Sequence, residues 1–232
     1  MRPKRRPILP PGKRGFLPGK NGSGKSTSAR IIASFWTSYR WTWTPRGWRR
    51  SERGERYPAV VIDTKPTGVW LTWGQAIVTR PKDVISALED GLSRVVYRPE
   101  YADARPEELD HLLNDLYRRG RPILIVIDEL THVVDNVDPD EGLNNCLTRG
   151  REFGVSLLMC TQRAARIPLI CYYESEYYYI HRIRGHADRK RLEQHLGYVV
   201  PEVEQLSFLF YCDDSDEPPV VWSWPIRERR AA

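Results

Sequence analysis

The run Ile123-Leu124-Ile125-Val126-Ile127-Asp128-Glu129 narrows the folds open to this chain more than any other stretch. Five consecutive aliphatic residues leave no polar face, so a strand built from them must be covered on both sides, as in the middle of a parallel sheet flanked by helices. Ligands of such sheets bind at the carboxyl ends of the strands, where Asp128 and Glu129 stand. Taken alone, the two carboxylates also fit a solvated strand end. A second feature argues against that reading. Gly19-Lys20-Asn21-Gly22-Ser23-Gly24-Lys25-Ser26 has the spacing G-x-x-x-x-G-K-[ST] of a phosphate-binding loop, upstream in the same chain.

The chemistry follows from the residue types. Gly19, Gly22 and Gly24, with Asn21 and Ser23 between them, let backbone N–H groups turn towards phosphates, and the helix expected over 25–35 adds the positive end of its dipole. Lys25 is expected to reach the β- and γ-phosphates of ATP and Ser26 to ligate Mg²⁺, with Asp128 beside the metal. Glu129 is then placed to polarise a water for attack on the γ-phosphate, which favours hydrolysis over binding alone. A further apolar run, Val155 to Cys160, leads through Thr161 to Gln162, a polar group placed to contact the γ-phosphate or the attacking water. Arg149 and Arg151 precede that run at the end of an expected helix. They can serve as arginine fingers for a neighbouring subunit or as ordinary C-terminal helix charges.

Short apolar runs alternate with helical stretches, the grammar of an α/β domain with a mostly parallel central sheet flanked by helices. Strands are expected at 59–62, 76–79, 94–97, 123–127, 155–160, 177–183, 207–211 and 220–224. Helices are expected at 25–35, 81–88, 106–119, 141–153 and 187–196; in the third, Leu109, Leu112, Leu113 and Leu116 repeat at i, i+3, i+4 and i+7. Gly15 to Pro18, leading into the phosphate loop, reads as a weak strand because Pro18 lacks an N–H. Residues 1–14, rich in proline and basic residues, read as an extended arm, and 15–232 as a single domain.

Charge separates the chain further. Residues 1–56 hold 15 Lys and Arg against Glu52 and Glu55, whereas the remainder holds 21 basic and 28 acidic residues. A positive lobe on a mildly acidic body suits a protein that meets a polyanion, although a solvated basic tail has the same composition. Arg46, Arg49 and Arg50 are the candidate nucleic-acid contacts. They are interleaved with Trp36, Trp41, Trp43 and Trp48; Trp36, Trp41 and Trp43 are read as a subunit interface. Trp70 and Trp73, in the turn after Lys65, make a candidate pore loop. No apolar run approaches the roughly 20 residues needed to cross a bilayer, and Met1 to Arg6 lacks the apolar stretch of a signal peptide. The four cysteines form no C-x-x-C pair and are read as reduced, mostly buried thiols.

Together G-K-N-G-S-G-K-S-T at 19–27, V-V-I-D-T-K at 60–65, I-L-I-V-I-D-E at 123–129 and T-R-G-R-E-F-G-V-S-L-L-M-C-T-Q-R at 148–163 resemble the HerA/FtsK superfamily of P-loop motor ATPases. The match spans most of the chain in the family's order and looks most like the small genome-packaging ATPases of tailless, membrane-containing double-stranded DNA viruses. The resemblance implies a RecA/ASCE-like fold with the Thr161-Gln162 strand between the two nucleotide-binding strands. It adds Thr27 to the phosphate loop, makes Gln162 the γ-phosphate sensor and Arg151 the trans arginine with Arg149 second, and sets Asp63 and Lys65 near the nucleotide or a central pore. Because the loop begins at Gly19, a bare motor core is expected, without the anchors of FtsK or the N-terminal β-domain of HerA. It further implies a homo-oligomeric ring, in this family a hexamer, acting on double-stranded DNA with a capsid-vertex or viral membrane protein as partner. The implied location is the host cytoplasm or the packaging vertex of the virion. A translocase for plasmid transfer or filamentous phage extrusion shares these features. A nucleotide-controlled scaffold or a P-loop kinase is the alternative of another class, and the Asp128-Glu129 pair with Thr161-Gln162-Arg163 counts against the kinase.

Overall fold

In the computed structural model, which describes residues 7–65, 68–100, 105–134, 139–213 and 217–224, the strands are Arg14–Pro18 (β1), Trp41–Thr44 (β2), Gly47–Arg50 (β3), Ala59–Ile62 (β4), Ala76–Val78 (β5), Arg94–Tyr97 (β6), Ile123–Ile127 (β7), Val155–Thr161 (β8), Tyr177–Ile180 (β9), Ser207–Cys212 (β10) and Val220–Ser223 (β11). The helices are Lys25–Ser38 (α1), Pro81–Glu89 (α2), Pro106–Arg118 (α3), Glu141–Thr148 (α4), Leu169–Tyr173 (α5) and His186–Leu196 (α6). The main sheet has the order β11-β10-β9-β1-β8-β7-β4-β6-β5. From β9 to β5 all pairings are parallel, and β10 and β11 add an antiparallel edge.

The aliphatic run behaves as its composition requires. Ile123, Ile125 and Ile127 enter a core beneath α2, α3 and α4, while Leu124 and Val126 enter a second core with Ile32 and Trp36 of α1. Each face of the sheet is thus sealed by helices, the layered α/β arrangement of P-loop NTPases. The leucine stripe of α3 is wholly buried. On the same helix the Asp110 carboxylate accepts the N–H groups of Gly142 and Leu143, both at 2.9 Å, satisfying two free donors at the start of α4.

Three expectations change. The strand expected to be weak is central: β1 lies between β8 and β9 and is buried throughout. Pro18 is tolerated because it is the last residue of the strand. Its carbonyl accepts the His181 N–H at 2.9 Å, and the pairing resumes with Gly19 N–H on the Thr161 carbonyl at 3.0 Å. The arm does not extend to residue 14. Arg14 belongs to β1, Leu9 is fully buried, and the Pro10 carbonyl accepts the Ser156 hydroxyl at 2.9 Å, so residues 7–13 pack on the domain; residues 1–6 lie outside the described residues. The helix expected over 141–153 stops at Thr148 and a 3₁₀ turn follows at Gly150–Phe153. There the Arg14 guanidinium donates to the Leu147 carbonyl, meeting a terminal acceptor that a longer helix would have used.

The aromatic assignments change as well. Trp36 and Trp41 are core residues: the Trp36 indole donates to the Pro58 carbonyl at 3.1 Å and the Trp41 indole to the Trp36 carbonyl at 3.3 Å. Trp43, on the β2–β3 hairpin, remains 58% exposed. Trp70 and Trp73 are buried edge to face against each other, with the Trp73 indole on the Ser34 hydroxyl of α1 at 2.9 Å. They hold the turn after β4 to α1 and present no aromatic surface to a pore. Pro66 and Thr67 of that turn lie outside the described residues. All four cysteines are buried.

Candidate nucleotide site

The carboxyl ends of β1, β4, β7 and β8 converge on an open cleft of about 640 Å³, lined among others by Asn21, Ser26, Lys65, Asp128, Glu129 and Gln162. The phosphate loop runs from Pro18 to α1. Gly24, at the helix N-cap, has φ of +100°, and a Cβ on Gly19 would stand 2.5 Å from the His181 Cβ, so both positions require glycine. Lys25 is buried and its ammonium donates to the Lys20 carbonyl at 2.9 Å, lying across the loop. Burial, and secondarily the nearby charge of Lys65, lower its pKa. The Ser26 hydroxyl donates to Asp128 Oδ1 at 2.9 Å. This hydroxyl and carboxylate offer hard oxygen donors at one point with the cleft beside them, a set that suits Mg²⁺ bound together with phosphates.

Asp128 follows β7 and is 1% exposed. Its other oxygen, Oδ2, lies 2.7 Å from the Lys65 ammonium, which also donates to the Asp128 carbonyl at 3.0 Å. Burial pulls the Lys65 pKa down, but the charge and hydrogen bond of Asp128 together outweigh it, and the net shift is upward. Asp63, fully buried beside them, is pushed up by burial and then by the charge of Asp128. Glu129 Oε1 accepts the Thr131 hydroxyl at 3.0 Å and the Gln162 N–H at 3.2 Å, while its buried Oε2 has no hydrogen-bond partner among the described residues. One carboxylate oxygen is thereby fixed and ties the end of β7 to the end of β8.

Thr27 does not line this cleft; it is exposed on α1 beside a shallow hollow with Arg30 and Ile31. Arg149 and Arg151 are exposed at the amino end of β8, whereas Gln162 follows its carboxyl end. Seven strand residues at about 3.3 Å each put roughly 20 Å between them, so neither arginine reaches its own chain's cleft. Arg46, Arg49 and Arg50 are exposed on the hairpin, with the Arg50 guanidinium 4.1 Å from the centre of the Tyr39 ring.

The sequence offered no signal for what supports the loop from behind. His181 Nδ1–H donates to the Ser23 carbonyl at 3.1 Å, the Leu206 N–H donates to the same oxygen at 3.2 Å, and the Lys20 N–H donates to the Arg182 carbonyl at 2.8 Å. Leu206 is the only non-glycine with positive φ among the described residues, at +66°, and its side chain covers Gly24. Strain of this kind persists only where the surroundings hold it.

The sequence matches no protein-family model, and no curated protein matches it. The fold is that of P-loop NTPases, and solved structures share it at low identity. The genome-packaging NTPase B204 of Sulfolobus turreted icosahedral virus 2, in complex with ATP-gammaS, superposes with a TM-score of 0.69 at 14% identity, covering 94% of this chain and 98% of that one. The pCW3 conjugation coupling protein TcpA gives 0.55 at 19% identity, over 94% of this chain and 60% of that one. ATPases 2 and 3 of EssC from Geobacillus thermodenitrificans give 0.53 at 12%, over 87% and 38%. Within that fold β8 lies between β1 and β7, the strand order that the motif resemblance implied.

Proposed function

We propose that this protein is an ATP-hydrolysing motor that moves double-stranded DNA into a viral capsid, working as a homo-oligomeric ring, a hexamer by the resemblance. The observation that carries the reading is the meeting of Ser26, Asp128, Glu129 and Gln162 around one cleft, with Lys25 buried across the loop beside Ser26. Its fold is shared with a genome-packaging NTPase over nearly the whole of both chains. Backbone N–H groups of Gly19 to Gly24 and the Lys25 ammonium bind the phosphates of ATP. Ser26 and Asp128 would hold Mg²⁺, which when bound neutralises charge developing on the β- and γ-phosphates. Glu129 takes a proton from the attacking water, and Gln162, joined to Glu129 through its N–H, positions that water or the γ-phosphate. Arg151, with Arg149 as second choice, serves the neighbouring subunit's site, and Arg46, Arg49 and Arg50 hold DNA phosphates. A capsid-vertex or viral membrane protein is the partner, in the host cytoplasm or at the packaging vertex; no helix among the described residues is long and apolar enough to cross a membrane.

The test is phosphate release from ATP with and without duplex DNA. Turnover that rises with duplex, and falls when Arg46, Arg49 and Arg50 are all changed to Gln, supports the motor. Turnover indifferent to nucleic acid points instead to a nucleotide-controlled scaffold or a kinase.

A further inference from the structure

A second cleft, of about 460 Å³, opens at the opposite end of the sheet, where β4, β6 and β7 begin. Arg56, Arg119 and Arg121 line it together with Tyr57 and Ser93, and Glu55 is its only acidic residue among those described. The topology brings these arginines together. Strands β4 and β7 are hydrogen-bonded neighbours with Ala59 opposite Leu124, so Arg56 and Arg121, each three residues earlier, emerge side by side, and Arg119 closes α3 next to them. None of the three guanidiniums has a hydrogen bond or ion pair among the described residues, whereas Arg118 beside them reaches Glu141 and Arg80 reaches Asp83. The Glu55 carboxylate is engaged by the Tyr57 hydroxyl at 3.2 Å.

The basic hairpin stands against the same edge. Trp41 of β2 exchanges main-chain hydrogen bonds with Glu55 at 2.7 and 2.9 Å, and the Trp48 ring of β3 packs edge to face on Tyr57 at 5.7 Å. Arg50, two residues from Trp48 and so on the same face of the hairpin, belongs to the side that packs on this edge, whereas Arg49 points to the other face. A guanidinium is a planar fork of donors matched to phosphate oxygens. Three unpaired forks around an open cleft, joined to the segment that carries the chain's basic excess, fit a polyphosphodiester better than an isolated anion.

We propose that this cleft takes the phosphate backbone of duplex DNA, so that the nucleic acid and the nucleotide occupy opposite ends of the sheet. The proposal rests on the DNA-motor reading above and adds Arg56, Arg119 and Arg121 to its contact set. The experiment compares the full chain with the triple variant Arg56→Gln/Arg119→Gln/Arg121→Gln by fluorescence anisotropy of a labelled 30-base-pair duplex across a salt series. Binding of a fluorescent ATP analogue and self-association are measured in parallel. Each lost phosphate contact removes about 0.9 from the log–log salt slope, so the triple variant is expected to be shallower by about 2 to 3, with unchanged affinity for the analogue. Glu55→Gln is expected to bind duplex more tightly. An unchanged slope overturns the proposal, as does a loss of self-association at an unchanged slope, which would make the arginines a contact with a second copy. A wild-type chain that binds no duplex while still binding the analogue overturns the DNA reading along with it.

Discussion

Acidification is expected to act on the phosphate-binding loop through one buried histidine. The Ser23 carbonyl can only accept, so His181 carries its proton on Nδ1 and leaves Nε2 as a bare, buried nitrogen with no partner among the described residues. Protonating Nε2 would create a cation at a site 1% exposed, and burial, reinforced by the charge of Lys25, lowers the pKa from 6.5 to about 4. Below pH 6.5 the unfolded chain takes up a proton that the folded chain refuses. The stability linked to His181 is therefore intact above about pH 6.5 and is lost progressively down to about pH 4. A gap of about 2.5 units at about 1.4 kcal/mol each amounts to roughly 3 kcal/mol. For a chain of this length that is roughly 6 to 12 °C in Tm. The assay is thermal unfolding of wild type and His181→Gln between pH 7.5 and 4.5. The amide of glutamine can still donate to Ser23 but does not titrate, so the wild type should lose more Tm than the variant by that amount. Parallel Tm–pH curves would refute the reasoning and mean that the imidazole protonates without penalty.

Three further outcomes are expected. Lys25→Ala abolishes ATP binding because it deletes a phosphate contact, whereas Glu129→Gln keeps binding within a few-fold and stops turnover; a fluorescent nucleotide titration beside a phosphate-release assay separates the two, and equal losses of affinity would remove Glu129 from its role. Gly19→Ala drives a methyl into the His181 Cβ at 2.5 Å, so nucleotide affinity should fall at least tenfold while Tm drops by a few degrees, and an unaffected affinity would show that the loop is not held against His181. Arg151→Ala, titrated into wild type under conditions of subunit exchange, should pull ATPase activity below the sum of the two populations, because arginine fingers contribute about 10³ to 10⁵ in rate. Simple additivity, or the same effect from Arg149→Ala alone, would move the finger elsewhere.

What could be read from the sequence was what local composition fixes. Strand β7 admits one environment because it is aliphatic on both faces, and the acids after it must then stand at a carboxyl end. Strand β1 reads as weak because Pro18 lacks an N–H, and its central place is set by pairing with Leu157 to Thr161 and with Tyr177 and Tyr178, far along the chain. The Trp- and Arg-rich segment reads as interface and nucleic-acid surface, whereas β2 and β3 form a hairpin closed by the turn at Pro45 and Arg46. Trp70 and Trp73 resembled exposed loop aromatics because their cover comes from α1. His181 and Leu206 carry no motif, since their importance lies only in backbone contacts with Ser23.

The position of β1 has a consequence for how the molecule is made. Arg14 pairs with Leu157, 143 residues later, and Gly15 with Tyr177, 162 residues later. Contacts at such separation form only after the entropy of closing a long loop has been met, which slows folding. At about 5 to 20 residues per second, the segment reaching Leu206 leaves the ribosome roughly 10 to 40 s after the phosphate loop. Until β8 emerges, roughly 7 to 27 s after the phosphate loop, Phe16 and Leu17 have neither neighbour to pair with, and a chaperone that shields unpaired strands would find its substrate there. If the chain takes up nucleotide as proposed, capture is expected only after Leu206 has reached Ser23, and its onset in a translation reaction would time a moment when the central strand is already enclosed.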